Sequence, residues 1–354
     1  MTVVWQTAVS TEKSVVEYGE GENLDKSVVG RRVTYPYETG IIHEAVLKRL
    51  EPSQRYSYRV GDPKGGFSAP SYFETAPSDE KDFLFTVFGD HGVGETSKAN
   101  VDLVLNENPA FHLILGDLSY ANGNQPVWDR WFEQLEPLSR RIPVMPTLGN
   151  HENEQVEGKP IGSIAYLTRL ALPPPESRYF FDYGSARFVA FNSHEFADQE
   201  QMDWFTQTLK SARQNKSVRW LIVFQHHPLY SSNVGRLNNQ PLIDAVRSVL
   251  DKYQVDLVLA GHNHNYERSY PLKGGNVSQN GPGPYRKSSG VVFTISGGGG
   301  KSLYEFVEEQ PAITAYRESS PHYLRIGVTK KELRVEAVRT LDRSILDSFT
   351  ILEP

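Results

Sequence analysis

Five short polar clusters each follow an apolar run, and their side chains are of the types that bind transition metals. In chain order they are Gly89-Asp90-His91-Gly92, Gly116-Asp117-Leu118-Ser119-Tyr120, Gly149-Asn150-His151-Glu152, Gln225-His226-His227 and Gly261-His262-Asn263-His264. One Gly-Asp pair after a strand usually marks a turn, but five clusters in series at predicted strand ends are poorly explained as independent turns. In open α/β sheets, ligands bind at the carboxyl ends of the strands. The clusters therefore predict a metal site at one edge of a sheet.

The elements that must position these clusters follow from the hydrophobic pattern after residue 80. Short apolar runs typical of buried strands precede the clusters, and amphipathic stretches lie between them. The predicted strands are 83–88, 111–115, 144–148, 187–191, 219–224, 255–260 and 291–296, with three more between 323 and 352. The predicted helices are 96–106, 127–135, 198–212 and 240–252. This alternation favours a layered α/β architecture with helices packed against sheets.

The first 77 residues have a different pattern. Short β-branched and aromatic runs alternate with turn residues, as in residues 55–60, which Gly61-Asp62-Pro63 follows. This pattern is typical of a small β-sandwich. Residues 76–80 have the composition of a linker, so we predict one domain over 1–77 and a second over 81–354.

Composition and charge exclude several classes of protein. The chain has 354 residues, a formal net charge of -6 and no cysteine. A negative net charge argues against a general nucleic-acid binder, and the absence of cysteine removes disulfides and thiolate metal sites. No stretch approaches the roughly 18 apolar residues of a membrane span. No secretory signal is visible at Met1.

With their flanking residues, the clusters resemble the metallophosphoesterase signature in its purple acid phosphatase branch. Three blocks carry the resemblance beyond the metal-binding side chains: 116–121 (GDLSYA), 220–230 (WLIVFQHHPLY) and 261–268 (GHNHNYER). Residues 52–58 (PSQRYSY) resemble part of that family's N-terminal domain, so the resemblance covers nearly the whole chain. It implies an α/β protein in which a fibronectin-type-III-like β-sandwich precedes a four-layer α/β/β/α metallophosphoesterase domain.

The resemblance also implies two metal positions that share one carboxylate. The implied ligands are Asp90, Asp117, Tyr120 and His264 at the first position, and Asp117, Asn150, His226 and His262 at the second. Carboxylates and a phenolate are hard anionic donors that favour Fe(III), whereas imidazoles and an amide suit a divalent ion. The expected cofactor is therefore Fe(III) plus a divalent metal, either Zn, Fe or Mn. Tyr120 is the most discriminating residue, because phosphoesterases without an iron–phenolate site often lack a tyrosine there.

The implied activity is that of a dinuclear acid phosphatase, which hydrolyses phosphate monoesters by attack of a metal-bound hydroxide. Two ions about 3.5–4 Å apart stabilise the attacking and phosphoryl oxygens and activate water, so the shared Asp117 is predicted to be catalytic. His151 is not a ligand in the family pattern, and we expect it to contact phosphate or protonate the leaving group. Asn150 is also predicted to contact the substrate. Glu152 either orients His151 or occupies a favourable helix start.

The loop after His226 departs from the family pattern. Related plant enzymes usually place a further histidine there, near the leaving group, but this chain has none between His227 and His262. An ungapped count reaches Arg236 instead. We expect Arg236 to bind the substrate with a charge that persists at every working pH, the alternative being an ordinary surface arginine. His91 and His227, beside predicted ligands, either contact the site or simply pack.

Two other functions remain open from the sequence. A phosphodiesterase or nucleotide pyrophosphatase would use the same dinuclear centre. A phosphate-binding or partner-binding protein would have a degenerate site, whereas all seven ligand positions are filled here. We expect a small phosphorylated substrate as the partner, no nucleic acid as a structural partner, no membrane, and a monomer or a homodimer without disulfides. By resemblance, the protein is expected to be secreted, periplasmic or on the cell surface.

Overall fold

The N-terminal part of the chain is a β-sandwich. The computed structural model describes residues 1–37, 39–78 and 80–353, so Asp79 of the predicted linker and Pro354 at the predicted end of the second domain lie outside the described residues. The strands are β1 (Thr2–Thr7), β2 (Val15–Glu20), β3 (Lys26–Val29), β4 (Arg31–Val33), β5 (Ile41–Val46), β6 (Arg55–Asp62), β7 (Gly66–Phe67) and β8 (Ser71–Glu74). One sheet has the order β1-β5-β4, and the other has the order β3-β2-β6-β7 with β8 also paired to β6. A small core that includes Val16, Ala45 and Phe73 joins the two sheets.

Strands and helices alternate in the rest of the chain. The strands are β9 (Phe83–Phe88), β10 (His112–Ile114), β11 (Val144–Pro146), β12 (Glu154–Val156), β13 (Lys159–Gly162), β14 (Tyr179–Tyr183), β15 (Ala186–Ala190), β16 (Trp220–Gln225), β17 (Ser232–Asn233), β18 (Arg236–Leu237), β19 (Leu257–Ala260), β20 (Tyr266–Ser269), β21 (Leu272–Lys273), β22 (Asn276–Val277), β23 (Tyr285–Arg286), β24 (Val292–Ser296), β25 (Thr314–Glu318), β26 (His322–Val328), β27 (Glu332–Arg339) and β28 (Ile345–Leu352). The α-helices are α1 (Glu95–Glu107), α2 (Gln125–Ser139), α3 (Ile164–Arg169), α4 (Gln199–Gln214) and α5 (Gln240–Lys252), and the 3-10 helices are Asn150–Glu152 and Lys287–Ser289.

Two seven-stranded sheets form the centre of this second part. Their orders are β11-β10-β9-β26-β27-β28-β23 and β14-β15-β16-β19-β24-β20-β25. Strand β16 is buried on both faces: Ile222 and Phe224 belong to the core shared with the first sheet, whereas Leu221 and Val223 pack in the core that contains α4 and α5. This alternation follows the two-residue period of a strand. Helices α1 and α2 cover the first sheet, which completes the predicted α/β/β/α layers.

The predicted strands and helices are present, with ends shifted by a few residues. Helix α3 was not predicted, because its six residues are too short to show a clear helical period. The hairpins β12–β13, β17–β18 and β21–β22 were also missed, since strands of two to four residues leave little alternation to detect. None of the described helices has the length and apolar character needed to cross a bilayer.

The β-sandwich packs directly against α2 and α3. The guanidinium of buried Arg169 forms an ion pair with Asp129 at 2.8 Å and also donates to Thr39 Oγ1 of the sandwich at 2.9 Å. The hydroxyl of Tyr58 donates to the carbonyl of Arg140 at 2.8 Å. Arg169 and Tyr58 thus form hydrogen bonds across this contact, although buried Arg169 Nε has no hydrogen-bond partner.

Candidate metal centre

Strand ends from both sheets bring the five polar clusters together. Strands β9, β10 and β11 are parallel neighbours in one sheet, and β16 and β19 are parallel neighbours in the other. Hydrogen bonds join the loops that follow these strands. Asp90 N donates to Gly116 O at 3.2 Å within the first sheet, and His262 N donates to Asp90 Oδ2 at 2.8 Å between the sheets. The clusters thus meet at one shared edge.

Four of the predicted ligands have a left-handed backbone. The φ angles are 59° at Asp90, 52° at Asp117, 56° at Tyr120 and 68° at His262. For a residue with a Cβ this conformation costs roughly 1–2 kcal/mol, and such strain concentrates at functional sites. These four side chains are therefore directed at one region by a backbone conformation that is locally unfavourable.

Asp90, Tyr120 and His264 form what we call the first donor group. The Tyr120 hydroxyl donates to Asp90 Oδ1 at 3.2 Å and lies 3.0 Å from His264 Nε2, which is 3.3 Å from Asp90 Oδ1. Ligand atoms about 2.1 Å from one ion and at right angles are about 3 Å apart, so this spacing fits one ion. His264 Nδ1 donates to Ser302 O at 2.7 Å, which leaves Nε2 as the available ligand atom.

Asn150, His226 and His262 form the second donor group. Asn150 Oδ1 lies 3.0 Å from His226 Nε2 and 2.9 Å from His262 Nδ1, and these two nitrogens are 3.1 Å apart. The spacing again fits three ligands of one ion. His226 Nδ1 donates to Leu115 O at 2.8 Å, so its Nε2 is directed at the group.

Asp117 lies between the two groups. Its Oδ1 is 3.4 Å from His226 Nε2, and ligand atoms of Asp90, Asp117 and His226 all lie within 4.8 Å of one another. The same oxygen accepts a hydrogen bond from His151 N at 2.9 Å. This position suits the bridging role that the resemblance implies.

The electrostatics of the buried acids favour a bound cation. Burial raises the pKa of Asp90, and burial together with the charges of Asp90 and Asp117 raises the pKa of Tyr120 far above its usual range. Burial acts on Asp117 in the same direction, but neighbouring His226 outweighs it and lowers the pKa of that carboxyl. Buried anions this close together need a compensating positive charge. The donor set therefore fits metal ions.

His151 lies at the rim of the centre. Its Nδ1 is 2.6 Å from Asn122 Oδ1, an acceptor, so Nδ1 carries the proton of that hydrogen bond. Nε2 faces the centre, 3.8 Å from Asp117 Oδ2, and the ring centroid is 4.3 Å from that of Tyr120. Burial lowers the pKa of His151. Asn122 was not predicted, because a loop asparagine is usually only a turn residue.

The hairpin β17–β18 places Arg236 beside the second donor group. Arg236 Nη1 lies 2.7 Å from His262 Nε2, and its guanidinium carbon is 4.6 Å from the ring centroid of Tyr304. The residue is otherwise exposed. The ungapped count thus reached a residue at the centre, and its role in substrate binding stays a prediction.

Glu152 binds backbone groups and does not orient His151. Its Oε2 accepts from Gly149 N at 2.7 Å and Asp117 N at 2.8 Å, and Oε1 accepts from Leu118 N at 2.8 Å. Burial and the charge of Asp117 raise the pKa of Glu152 to about 8, while these N–H donors favour the carboxylate form. The buried carboxylate of Glu152 therefore links the backbone of the loop after β10 to that of the loop after β11.

The other histidines beside predicted ligands differ in their surroundings. His91 packs in the interior, where its Nδ1 accepts from Trp131 Nε1 and its Nε2 donates to Ser97 O, both at 2.9 Å. His227 is partly exposed, with its ring centroid 4.5 Å from that of His262. Only His227 of this pair lies where it can contribute to the centre.

Comparison with known proteins gives consistent matches over the chain. A family model described as calcineurin-like phosphoesterase matches residues 83–266, and one described as purple acid phosphatase N-terminal domain matches residues 1–75. Purple acid phosphatase 21 of Arabidopsis thaliana is 32% identical over 93% of this chain and 76% of its own length. Phosphoenolpyruvate phosphatase of Allium cepa is 33% identical over 90% of this chain and 71% of its own length. The structure of a purple acid phosphatase from yellow lupin (Lupinus luteus) seeds superposes with a TM-score of 0.92 at 24% identity, covering 99% of this chain and 72% of that one.

The layered fold and the matched domain model define a calcineurin-like metallophosphoesterase, which is a hydrolase. The chain belongs to the purple acid phosphatase family, on the evidence of both domain models and of relatives above 30% identity over most of their length. These matches confirm the resemblance found in the sequence and the predicted fold.

Proposed function

We propose that this protein is a dinuclear metal-dependent acid phosphatase that hydrolyses phosphate monoesters. The observation that carries the proposal is the pair of donor groups, each with three ligand atoms about 3 Å apart. Asp117 lies close to Asp90 and His226, where it would bridge two ions. Membership of the family supports the same conclusion.

The two groups suit different ions. Asp90, Tyr120 and His264, with Asp117, offer anionic oxygens that suit Fe(III). Asn150, His226 and His262, again with Asp117, suit a divalent Zn, Fe or Mn ion. When bound, such a pair polarises the phosphoryl oxygens and lowers the pKa of water.

Residues at the rim bind and orient the ester in this proposal. Asn150 contacts a phosphoryl oxygen, and Arg236, which remains charged at every working pH, binds the substrate near the leaving group. His151, held through Nδ1 by Asn122, presents Nε2 to the substrate. In its protonated form this nitrogen donates to a phosphoryl oxygen or to the departing alcohol oxygen.

The proposal extends to the domain limits, 1–77 and 81–354, to the monomeric or homodimeric state, and to a location in the periplasm, at the cell surface or outside the cell. The matches of the two domain models to residues 1–75 and 83–266 support these limits.

Metal analysis combined with a visible spectrum tests the proposed function. We expect one iron and one divalent metal per chain, a tyrosinate-to-Fe(III) charge-transfer band, and hydrolysis of p-nitrophenyl phosphate. Tyr120→Phe should remove the band, whereas Tyr37→Phe, a change outside the donor groups, should keep it. An active enzyme that is colourless and free of iron would overturn the iron assignment.

The phosphodiesterase alternative is tested with the same preparation. We expect p-nitrophenyl phosphate to be cleaved faster than its bis ester, because Arg236 and the dinuclear centre favour a dianion over a monoanion. Faster cleavage of the bis ester would instead identify the protein as a phosphodiesterase with the same dinuclear centre.

A further inference from the structure

A run of four glycines explains how one segment approaches both donor groups. We call residues 297–304, which follow β24, the glycine strap. A Cβ added to Gly297 would lie 2.2 Å from Asn263 O, and one added to Gly299 would lie 2.2 Å from Gly89 O. Neither clash can be relieved by a rotamer change, because both contacts are with backbone atoms. Only glycine lets the strap pass this close to the ligand loops.

The strap places Lys301 beside the first donor group. Lys301 N donates to Asp90 O at 3.2 Å, which fixes its backbone next to a predicted ligand. Its ammonium nitrogen lies 4.3 Å from the ring centroid of Tyr120, within the range of a cation–π contact. That ring also packs against His151. The side chain is partly exposed.

The same strap supports Arg236 beside the second donor group. Tyr304 stacks on His264 with ring centroids 4.1 Å apart, and the guanidinium carbon of Arg236 lies 4.6 Å from the Tyr304 ring centroid. Within the described residues, no carboxylate oxygen lies within 4.0 Å of the charged nitrogens of Lys301 or Arg236. Each donor group thus has a neighbouring cation that is held by an aromatic ring and is not neutralised by an ion pair.

We propose that Lys301 and Arg236 select phosphate esters that carry a second anionic group, a carboxylate or another phosphate, close to the scissile phosphate. The inference rests on the proposed phosphatase function and names its substrate class. The dinuclear centre with Asn150 and His151 accommodates one phosphoryl group. Lys301 and Arg236, on either side of it, are therefore available to bind a second anionic group of the substrate. Lys301 is the specificity residue that the sequence analysis did not find.

A matched pair of substrates tests the proposal. Phosphoglycolate and hydroxyethyl phosphate differ only in a carboxylate against a hydroxymethyl group. An exposed charge pair at about 4 Å contributes roughly fivefold in binding. We expect wild-type kcat/KM to favour phosphoglycolate by about fivefold or more, and inorganic pyrophosphate to show whether a second phosphate replaces the carboxylate.

Four variants assign the preference to Lys301 and Arg236. Lys301→Met should reduce the ratio of the two kcat/KM values about fivefold, and Lys301→Arg should retain most of it. Lys331→Met should leave the ratio unchanged, because Lys331 follows the end of β26 that pairs with the start of β9, away from the metal centre. Arg236→Gln combined with Lys301→Met should remove any preference that Lys301→Met leaves and bring the ratio close to one.

The outcomes separate this proposal from the function on which it rests. Loss of the preference at high ionic strength in the wild type would support it without any variant, since salt screens exposed charges. A ratio that is equal in wild type and Lys301→Met, with hydroxyethyl phosphate still hydrolysed, overturns the substrate class but not the phosphatase. Failure to hydrolyse any of these phosphates would overturn both.

Discussion

The two donor groups lie side by side at one sheet edge but differ in charge and in exposure. The first group contains two acidic side chains and one imidazole, and its Asp90 and His264 are buried. The second contains an amide and two imidazoles, and its Asn150 and His262 are partly exposed. Strand ends of the same kind supply both groups. In the proposed centre, residue types at equivalent strand ends, and not a different backbone architecture, would set the ion that each group prefers.

Removing the carboxylate common to both groups should have the largest effect. We expect Asp117→Asn to lower kcat/KM on p-nitrophenyl phosphate by roughly a thousandfold, about 4 kcal/mol of transition-state stabilisation. Both metals should be depleted. Asp102→Asn, a change in an exposed ion pair of α1, should leave activity and metal content unchanged. If only one metal were lost, Asp117 would belong to one group and not to both.

Removing the metal ions should lower the free energy of unfolding, and most of this loss should come from the first donor group. Without a cation, Asp90 and Tyr120 are left buried against another carboxylate, which raises their pKa values. A ligand at a thousand times its Kd stabilises the folded state by about 4 kcal/mol. Calorimetry should therefore show a clear drop in the unfolding temperature after chelation. An unchanged unfolding temperature would argue against metal binding at these groups.

Single ligand changes should separate the groups. Tyr120→Phe should abolish the visible band and reduce activity by roughly a hundredfold, about 2.7 kcal/mol. Asn150→Ala should keep the band and lower only the divalent metal content. The measurement is metal analysis and a spectrum for both variants. Loss of the same metal in both would erase the distinction between the two groups.

The backbone support for the ligands should matter less than the ligands themselves. Glu152→Gln keeps the size of the side chain but removes the charge that accepts N–H bonds from two ligand loops. Supporting residues of this kind typically change activity or metal affinity by about 10–100-fold. Titration of the metal-depleted protein measures the affinity. Equal affinity in wild type and Glu152→Gln would limit Glu152 to a role in packing.

The smallest effect is expected at the exposed side of the second group. Arg236→Ala should raise KM about fivefold with a smaller change in kcat, because it removes a charge that binds substrate. Arginine does not titrate in the working range, so the pH–rate profile should keep its shape. Unchanged kinetics in Arg236→Ala would show that Arg236 is an ordinary surface residue with no role in substrate binding.

The ligand types and the layered fold were accessible from the sequence for one physical reason. Buried strands leave continuous apolar runs, and the polar residues that end them are visible in a single chain. Asn122 and Lys301 lack such a signal, because they lie in loops whose path depends on tertiary contacts. The four glycines before Lys301 permit a close approach, but only the structure shows which backbone atoms are approached. Glu152 was recognised, yet its partners are backbone N–H groups that a sequence does not reveal.

The contact between Arg236 and His262 has a consequence for the order of assembly. A neutral imidazole that binds an ion through Nδ1 carries its proton on Nε2, and a guanidinium only donates hydrogen bonds. Two donors cannot pair, so ligation by His262 and the observed 2.7 Å contact exclude each other. Ligation of a metal ion by His262 would therefore release the guanidinium of Arg236 from this contact. Arg236 would then become available to a substrate anion only after the second donor group had bound its ion.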